Sequence, residues 1–238
     1  LGKMMDYLAA LLVPPRALPC FGDDDGGRFF HPYGERSAFG RATLATASRL
    51  LARSYFHDAA DLPEQAAWWL GPQVLDASPV SAVLPLPNAH SDVHFPDAGV
   101  SIAVRGDLHV VFKWGGFGTG GAGHSHADVL SLMIRLGDDE LLIDPGTYTY
   151  MEDPVQRDWF RSVAAHNTLR IDGLNQASPE TPFRWGAKPE TFQLGPWNAA
   201  IRYAGFMHRR HIDFSQSNKL IVEDTVEGPD GEHTIEQL

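Results

Sequence analysis

The sequence predicts an α+β protein of two domains, helical first and antiparallel β after. Apolar residues recur at helical spacing through the first seventy positions, and beyond Pro96 they alternate with period two. Runs of helices followed by runs of strands form separate layers, unlike the alternation of a parallel sheet. The chain has 238 residues, 43% of them hydrophobic, which is enough for one sizeable core or two small ones.

Met4, Met5, Leu8, Leu11 and Leu12 make the first helical stripe, and Pro14-Pro15 stops it. Leu44, Ala47, Leu50, Leu51 and Tyr55 make a second between Ala42 and Phe56. Glu64 to Leu70 is a short third, carrying Trp68 and Trp69. Between the first two runs an acidic loop, Phe21 to Arg28, contains Asp23-Asp24-Asp25. Its Asp-x-Asp pattern suggests calcium, but the ligand series of an EF-hand loop is incomplete, and Asp and Gly are ordinary turn residues. From Gly71 the breakers Pro72, Pro79, Pro85, Pro87 and Pro96 read as a linker. The helical part is thus placed in residues 1–72, the linker in 73–96 and the β part in 97–238.

In the β part, Val100, Ile102 and Val104 alternate, Arg105-Gly106-Asp107 turns, and Leu108, Val110, Phe112 and Trp114 return as a hairpin. Leu130 to Leu136 and Leu141 to Ile143 flank a turn at Gly137 to Glu140. Further strands are expected at Asn167–Ile171, Ala200–Tyr203, His208–Phe214 and Lys219–Glu223, so the second half reads as all β. His208 and His211, among Arg209 and Arg210, read as an exposed strand face.

With 30 Asp+Glu against 19 Lys+Arg the net charge is −11, a balance that repels nucleic-acid backbones and anionic bilayers. The single Cys20 excludes an internal disulfide framework and multi-cysteine zinc modules. No run approaches the ~18 apolar residues of a membrane span, and no signal peptide is evident after Leu1.

The densest polar cluster runs from Gly115 to His126. Six glycines in nine residues lead into His124-Ser125-His126, without the Lys-Ser/Thr ending of a phosphate loop. On an extended segment His124 and His126 project to one side. Neutral imidazoles bind zinc or iron, and a third ligand is needed. Asp144, after the apolar Leu141-Leu142-Ile143, and His166 are the candidates, with Asp128 competing and with capping of the Pro145-Gly146 turn as Asp144's alternative duty. A simple hairpin register pairs Asp144 with a residue near Met133, so ligation with His126 requires the chain to bend before Leu130. Tyr148 and Tyr150, with Arg157 and Arg161 around Trp159-Phe160, suit a sugar acid: rings stack on the sugar and arginine grips a carboxylate or sulfate. Packing aromatics and a surface ion pair are the alternative reading of the same residues; on the sugar-acid reading Tyr150 and Arg161 are the substrate-binding candidates.

Four ordered motifs, Gly123-His124-Ser125-His126-Ala127-Asp128, Leu142-Ile143-Asp144-Pro145-Gly146-Thr147-Tyr148, Arg161 to Thr168, and Phe183-Arg184-Trp185, resemble the heparinase II/III-like polysaccharide lyases. The acidic loop resembles a segment near the end of that family's helical domain. The resemblance implies the last helices of an (α/α) toroid followed by an antiparallel β-sandwich (super-sandwich), cut at both ends. It implies β-elimination on a uronic-acid polysaccharide, glycosaminoglycan or alginate-like, in the periplasm or outside the cell. His124 becomes the cleft histidine assisting proton transfer or carboxylate binding, and His126, Asp144 and His166 become ligands of one structural zinc, with calcium the lesser option. The family's catalytic tyrosine and uronate-neutralising residue fall upstream of Leu1, and Tyr7, Tyr33 and Tyr55 match no catalytic motif, so the isolated chain is expected to be inactive. A cationic strip of Arg157, Arg161 and Arg184 is expected to meet the anionic polymer. The competing readings are a cupin-like metalloenzyme, which lacks its glutamate here, and a non-catalytic carbohydrate-binding sandwich; homo-oligomerisation is left open.

Overall fold

The computed structural model of the chain describes residues 1–12, 18–24, 39–53, 55, 63–74, 90–216 and 219–238. The expected Pro14-Pro15 stop, most of the 73–96 linker, Asp25 and Tyr33 lie outside them. Two compact units emerge, and they interleave in sequence. One comprises Leu1–Pro19, Gly26–Val93 and Val104–Gly106; the other comprises Cys20–Asp25, His94–Ala103 and Asp107–Leu238.

The first unit holds α1 (Gly2–Leu11), α2 (Phe39–Leu51) and α3 (Pro63–Leu70), close to the expected helices. Met5 and Leu12 pack with Leu44, Ala47 and Tyr55 in one apolar cluster, which is the purpose of their helical spacing. Helix α2 stops at Leu51 because Ala52 turns into the left-handed region at φ 51. Tyr55, expected as the last stripe residue, joins the core from beyond the helix.

Most strands belong to the second unit. A five-stranded antiparallel sheet has the order β1 (His90–Phe95), β2 (Val100–Arg105), β3 (Leu108–Lys113), β4 (Ser131–Leu136), β5 (Asp139–Leu142). Strand β1 lies where the linker was expected; Ser91, Asp92 and His94 dilute its alternation. Strands β6 (Leu169–Ile171), β7 (Pro179–Thr181) and β8 (Arg184–Trp185) are short. Then β9 (Glu190–Gly195), β10 (Asn198–Tyr203), β11 (Phe206–Asp213) and β12 (Ile221–Glu227) form a four-stranded sheet, and β13 (Ile235–Gln237) pairs with β6.

Val110, Phe112 and Leu132 from the larger sheet share one core with Ala199, Ile201, Tyr203, Phe206 and Ile212 from the smaller. Two antiparallel sheets burying facing side chains make a β-sandwich. Within the larger sheet, a Cβ at Gly99, which sits at φ 64, would collide with the backbone of Gly115. Glycine at both positions lets Gly99 O accept from Trp114 N and Gly115 N, each at 2.8 Å.

Two expectations need correction. The second half is not all β: Pro154–Phe160 is a helix, α4, nucleated by Asp153, whose side chain accepts from Val155 N and Gln156 N ahead of Pro154. His208 is not on an exposed face. Along β11 the even positions Phe206, His208, Arg210 and Ile212 point inward, and His208 is fully buried.

Candidate metal centre

Three segments of the second unit bring one ligand atom each to a buried point. His126, Asp144 and His166 place their donors within 4.8 Å of one another, the one such group among the described residues. The required bend occurs at Leu130, whose φ is 64, so His126 lies before the turn into β4 and is free of the hairpin register. The stretch around His124 and His126 is a series of turns, not the extended segment expected, and it separates the two rings: His126 is fully buried and the His124 side chain is 76% exposed.

Asp144 follows β5 by two residues. One oxygen, Oδ1, accepts from Gly146 N at 2.8 Å and closes the turn, while Oδ2 stands 3.4 Å from His166 Nε2. One side chain thus caps the turn with one oxygen and turns the other toward His166. His166 ends a single 3₁₀ turn, Val163–Ala165, which Ser162 caps through Oγ. Its Nδ1 donates to Ser162 O at 2.6 Å, so Nε2 is the atom that faces His126 Nδ1, at 3.2 Å, as well as Asp144.

His126 is oriented from its other side. Its Nε2 lies 3.0 Å from Asp23 Oδ1, so Nε2 donates and Nδ1 is the free base turned toward the centre. The Asp23 side chain is enclosed and gripped by both terminal nitrogens of Arg157, with Nη2 at 2.6 Å from Oδ2. The same Oδ2 is 3.2 Å from Nδ1 of the exposed His124. Burial alone would raise the pKa of Asp23, but the hydrogen bonds from His126 and Arg157 and the guanidinium charge bring it down to about 2. Burial likewise opposes the ionised forms of Asp144 and His166. Their mutual hydrogen bond and charge prevail, holding Asp144 below the usual carboxylate range and His166 above the usual imidazole one.

The remaining candidates fall elsewhere. Asp128 is fully buried and pairs through Oδ1 with Lys113, outside the triad. The Arg161 guanidinium is also fully buried, donating to Asp158 Oδ1 and to the carbonyls of Thr181 and Pro182, with Trp185 4.5 Å beneath it. Tyr150 is half-buried and stacks on Phe183 at 5.3 Å, with Arg157 over its ring at 5.0 Å. The expected cationic strip does not form: Arg157 and Arg161 are enclosed for their ion pairs, and the exposed Arg184 pairs with Glu180. Sequence reasoning missed the Asp23–Arg157 pair, because 134 residues separate the partners. Asp23 was visible only as a member of an acidic loop.

An antiparallel sandwich carrying a buried His–Asp–His donor set, with an exposed histidine beside it, defines the class of domain. Residues 87–236 match the family described as Heparinase II/III-like, C-terminal, and the chain belongs to that family. Among solved structures it is similar to "Heparinase III-BT4657 gene product" (TM-score 0.61, 22% identity, covering 97% of this chain and 34% of that one). It is also similar to heparan sulfate lyase HepC from Pedobacter heparinus (TM-score 0.58, 19% identity, 95% and 32%) and to a structure named Heparinase III (TM-score 0.59, 17% identity, 95% and 34%). Identities at this level speak for the fold alone. The chain spans about a third of the length of these structures. No curated protein matches it.

Proposed function

We propose that the chain is part of a polysaccharide lyase that cleaves a uronic-acid-containing polymer by β-elimination, with His124 at the cleft and a zinc ion held by His126, Asp144 and His166. The observation that carries the reading is the placement of an exposed, hydrogen-bonded histidine two residues from a buried donor triad.

The donors suit zinc. Two imidazole nitrogens and one carboxylate oxygen form a common zinc set. The donor separations of 3.2 and 3.4 Å match the ~3.4 Å edge of a tetrahedron with ~2.0–2.1 Å bonds. When bound, the ion would cross-link the three segments and add positive charge beneath the cleft. In the elimination itself a base takes the C5 proton, the C4–O bond breaks as C4=C5 forms, and the departing oxygen gains a proton. Asp23 holds the Nδ1 proton of His124, so Nε2 is the atom offered to substrate: neutral, it accepts a proton, and protonated, it donates to the uronate. Tyr150 and Phe183 supply an aromatic wall beside His124. Arg161 supports that wall through its bonds to Thr181 and Pro182 instead of touching sugar. The anionic substrate and a location in the periplasm or outside the cell belong to the same reading, as do toroid helices in residues 1–72.

The test compares this chain with an N-terminally extended form on heparan sulfate and alginate, following unsaturated uronate by absorbance. The extended form is expected to produce it and the chain alone to produce little. In the extended form His124→Ala is expected to lower turnover at least 100-fold, on the order of one lost general acid–base group. Unchanged turnover removes His124 from the reaction.

A further inference from the structure

The family match begins at residue 87, yet the residue that orients the buried ligand stands at position 23. Residues 20–24 are fastened to the second unit at several points. Asp23 N donates to His124 O at 3.0 Å, and Asp24 N donates to Thr147 Oγ1 at 2.8 Å, three residues past Asp144. Gly22 sits at φ 54 with room for no side chain: a Cβ there would lie 2.5 Å from His124 O. The partner of Asp23 is equally fixed. Arg157 donates from Nε and Nη2 to Pro182 O at 3.1 and 2.9 Å, so the guanidinium presents its fork to the carboxylate in one orientation.

We propose that Asp23 is the positioning residue of this site: one clamped carboxylate sets the protonated nitrogen of the buried ligand His126 and of the exposed His124 together. An ionised carboxylate only accepts hydrogen bonds. Contact with Oδ1 therefore places the proton of His126 on Nε2 and frees Nδ1 for a metal, and contact with Oδ2 places the proton of His124 on Nδ1 and frees Nε2 for substrate. The two histidines are served by the two oxygens of a single group, so metal retention and the tautomer of His124 are coupled. The strap of residues 20–24 is then as much a part of the site as the sandwich. This inference rests on the proposed roles of His126 and His124, and it concerns what fixes them.

The test uses the 238-residue chain with Asp23→Asn, whose amide has one accepting oxygen and a donating nitrogen. Two quantities are read: zinc affinity by competition with a chromophoric chelator, and the tautomers of His124 and His126 from imidazole ¹⁵N shifts in histidine-labelled protein. Zinc affinity is expected to fall 10–100-fold, the usual cost of removing an outer partner of a ligating histidine, and His124 is expected to lose its Nδ1–H preference. If Asp23→Asn does not fold, Gly22→Ala keeps the carboxylate but displaces the strap, and it is expected to move both readouts in the same direction. A purely structural role would lower the melting temperature while leaving the His124 tautomer as in the parent chain, and that result overturns the proposal. Wild-type zinc affinity in the variant overturns it as well. A parent chain that binds no divalent metal refutes the zinc reading, while the tautomer measurement still decides the part played by Asp23.

Discussion

Asp224 shows at the scale of a residue how a half-buried carboxylate is made to serve. It lies 2.7 Å from His208 Nε2 and takes Nε and Nη2 of Arg210 at 2.8 and 2.9 Å. Arg210 passes the connection on, donating from Nη1 to Leu130 O and Asn167 O, at the bend into β4 and beside His166. Burial opposes ionisation of Asp224, but these partners bring its pKa down from 3.8 to about 2. Burial lowers the pKa of His208, which is therefore the neutral donor of the pair. A folded pKa below the unfolded one means the contribution is complete above about pH 5, declines as the pH falls and is gone below about pH 2; its size is ~2 kcal/mol. Asp224→Asn is expected to lower the urea midpoint at neutral pH and to flatten its acid decline relative to the parent, and parallel acid profiles would contradict this. The donor triad that the structure brings together was legible at this scale because His126, Asp144 and His166 stand in motifs with apolar surroundings. The Asp23–Arg157 pair was not, since 134 residues separate the partners, and the Asp224 cluster was not, since it joins neighbouring strands whose register the sequence does not display.

At the scale of the element, α4 is the informative failure. Seven residues are too few to show a helical period, and the mixed Arg157-Asp158-Trp159-Phe160-Arg161 was read by composition as a surface for sugar. The legible signal was local: Asp153 followed by Pro154 is a cap followed by a preorganised first turn. The helix matters because it delivers Arg157 to Asp23 and leads into Arg161. Asp153→Ala is expected to cost about 1 kcal/mol, read as a lower denaturation midpoint, with the loss concentrated in amide protection of residues 155–161; uniform loss across the sandwich would argue against a cap. Strand β11 failed in a different way. Its alternation was legible but its inward face was not, because the residues turned inward include a histidine and an arginine, which the core accepts through Asp224 and, for Arg210, two backbone carbonyls. Strand β1 hid among polar residues for a related reason: period two is visible only where one face is apolar.

At the scale of the whole molecule, the class of fold was legible because helical and two-residue periods occupy different halves of the chain. The interleaving was not, since Asp23 and Asp24 join the second unit through contacts with residues a hundred positions away. Family membership rests on residues 87–236 and the donor triad on three segments inside that match. The central claim is that these segments close around a metal ion. The most direct test is the metal content of the purified 238-residue chain, measured by inductively coupled plasma mass spectrometry after loading with zinc and removal of excess, beside Asp144→Asn. The account predicts about one zinc per chain in the parent and a large loss in the variant, as expected when one of three protein ligands is removed. A parent chain free of zinc, or a variant that keeps as much as the parent, would contradict it.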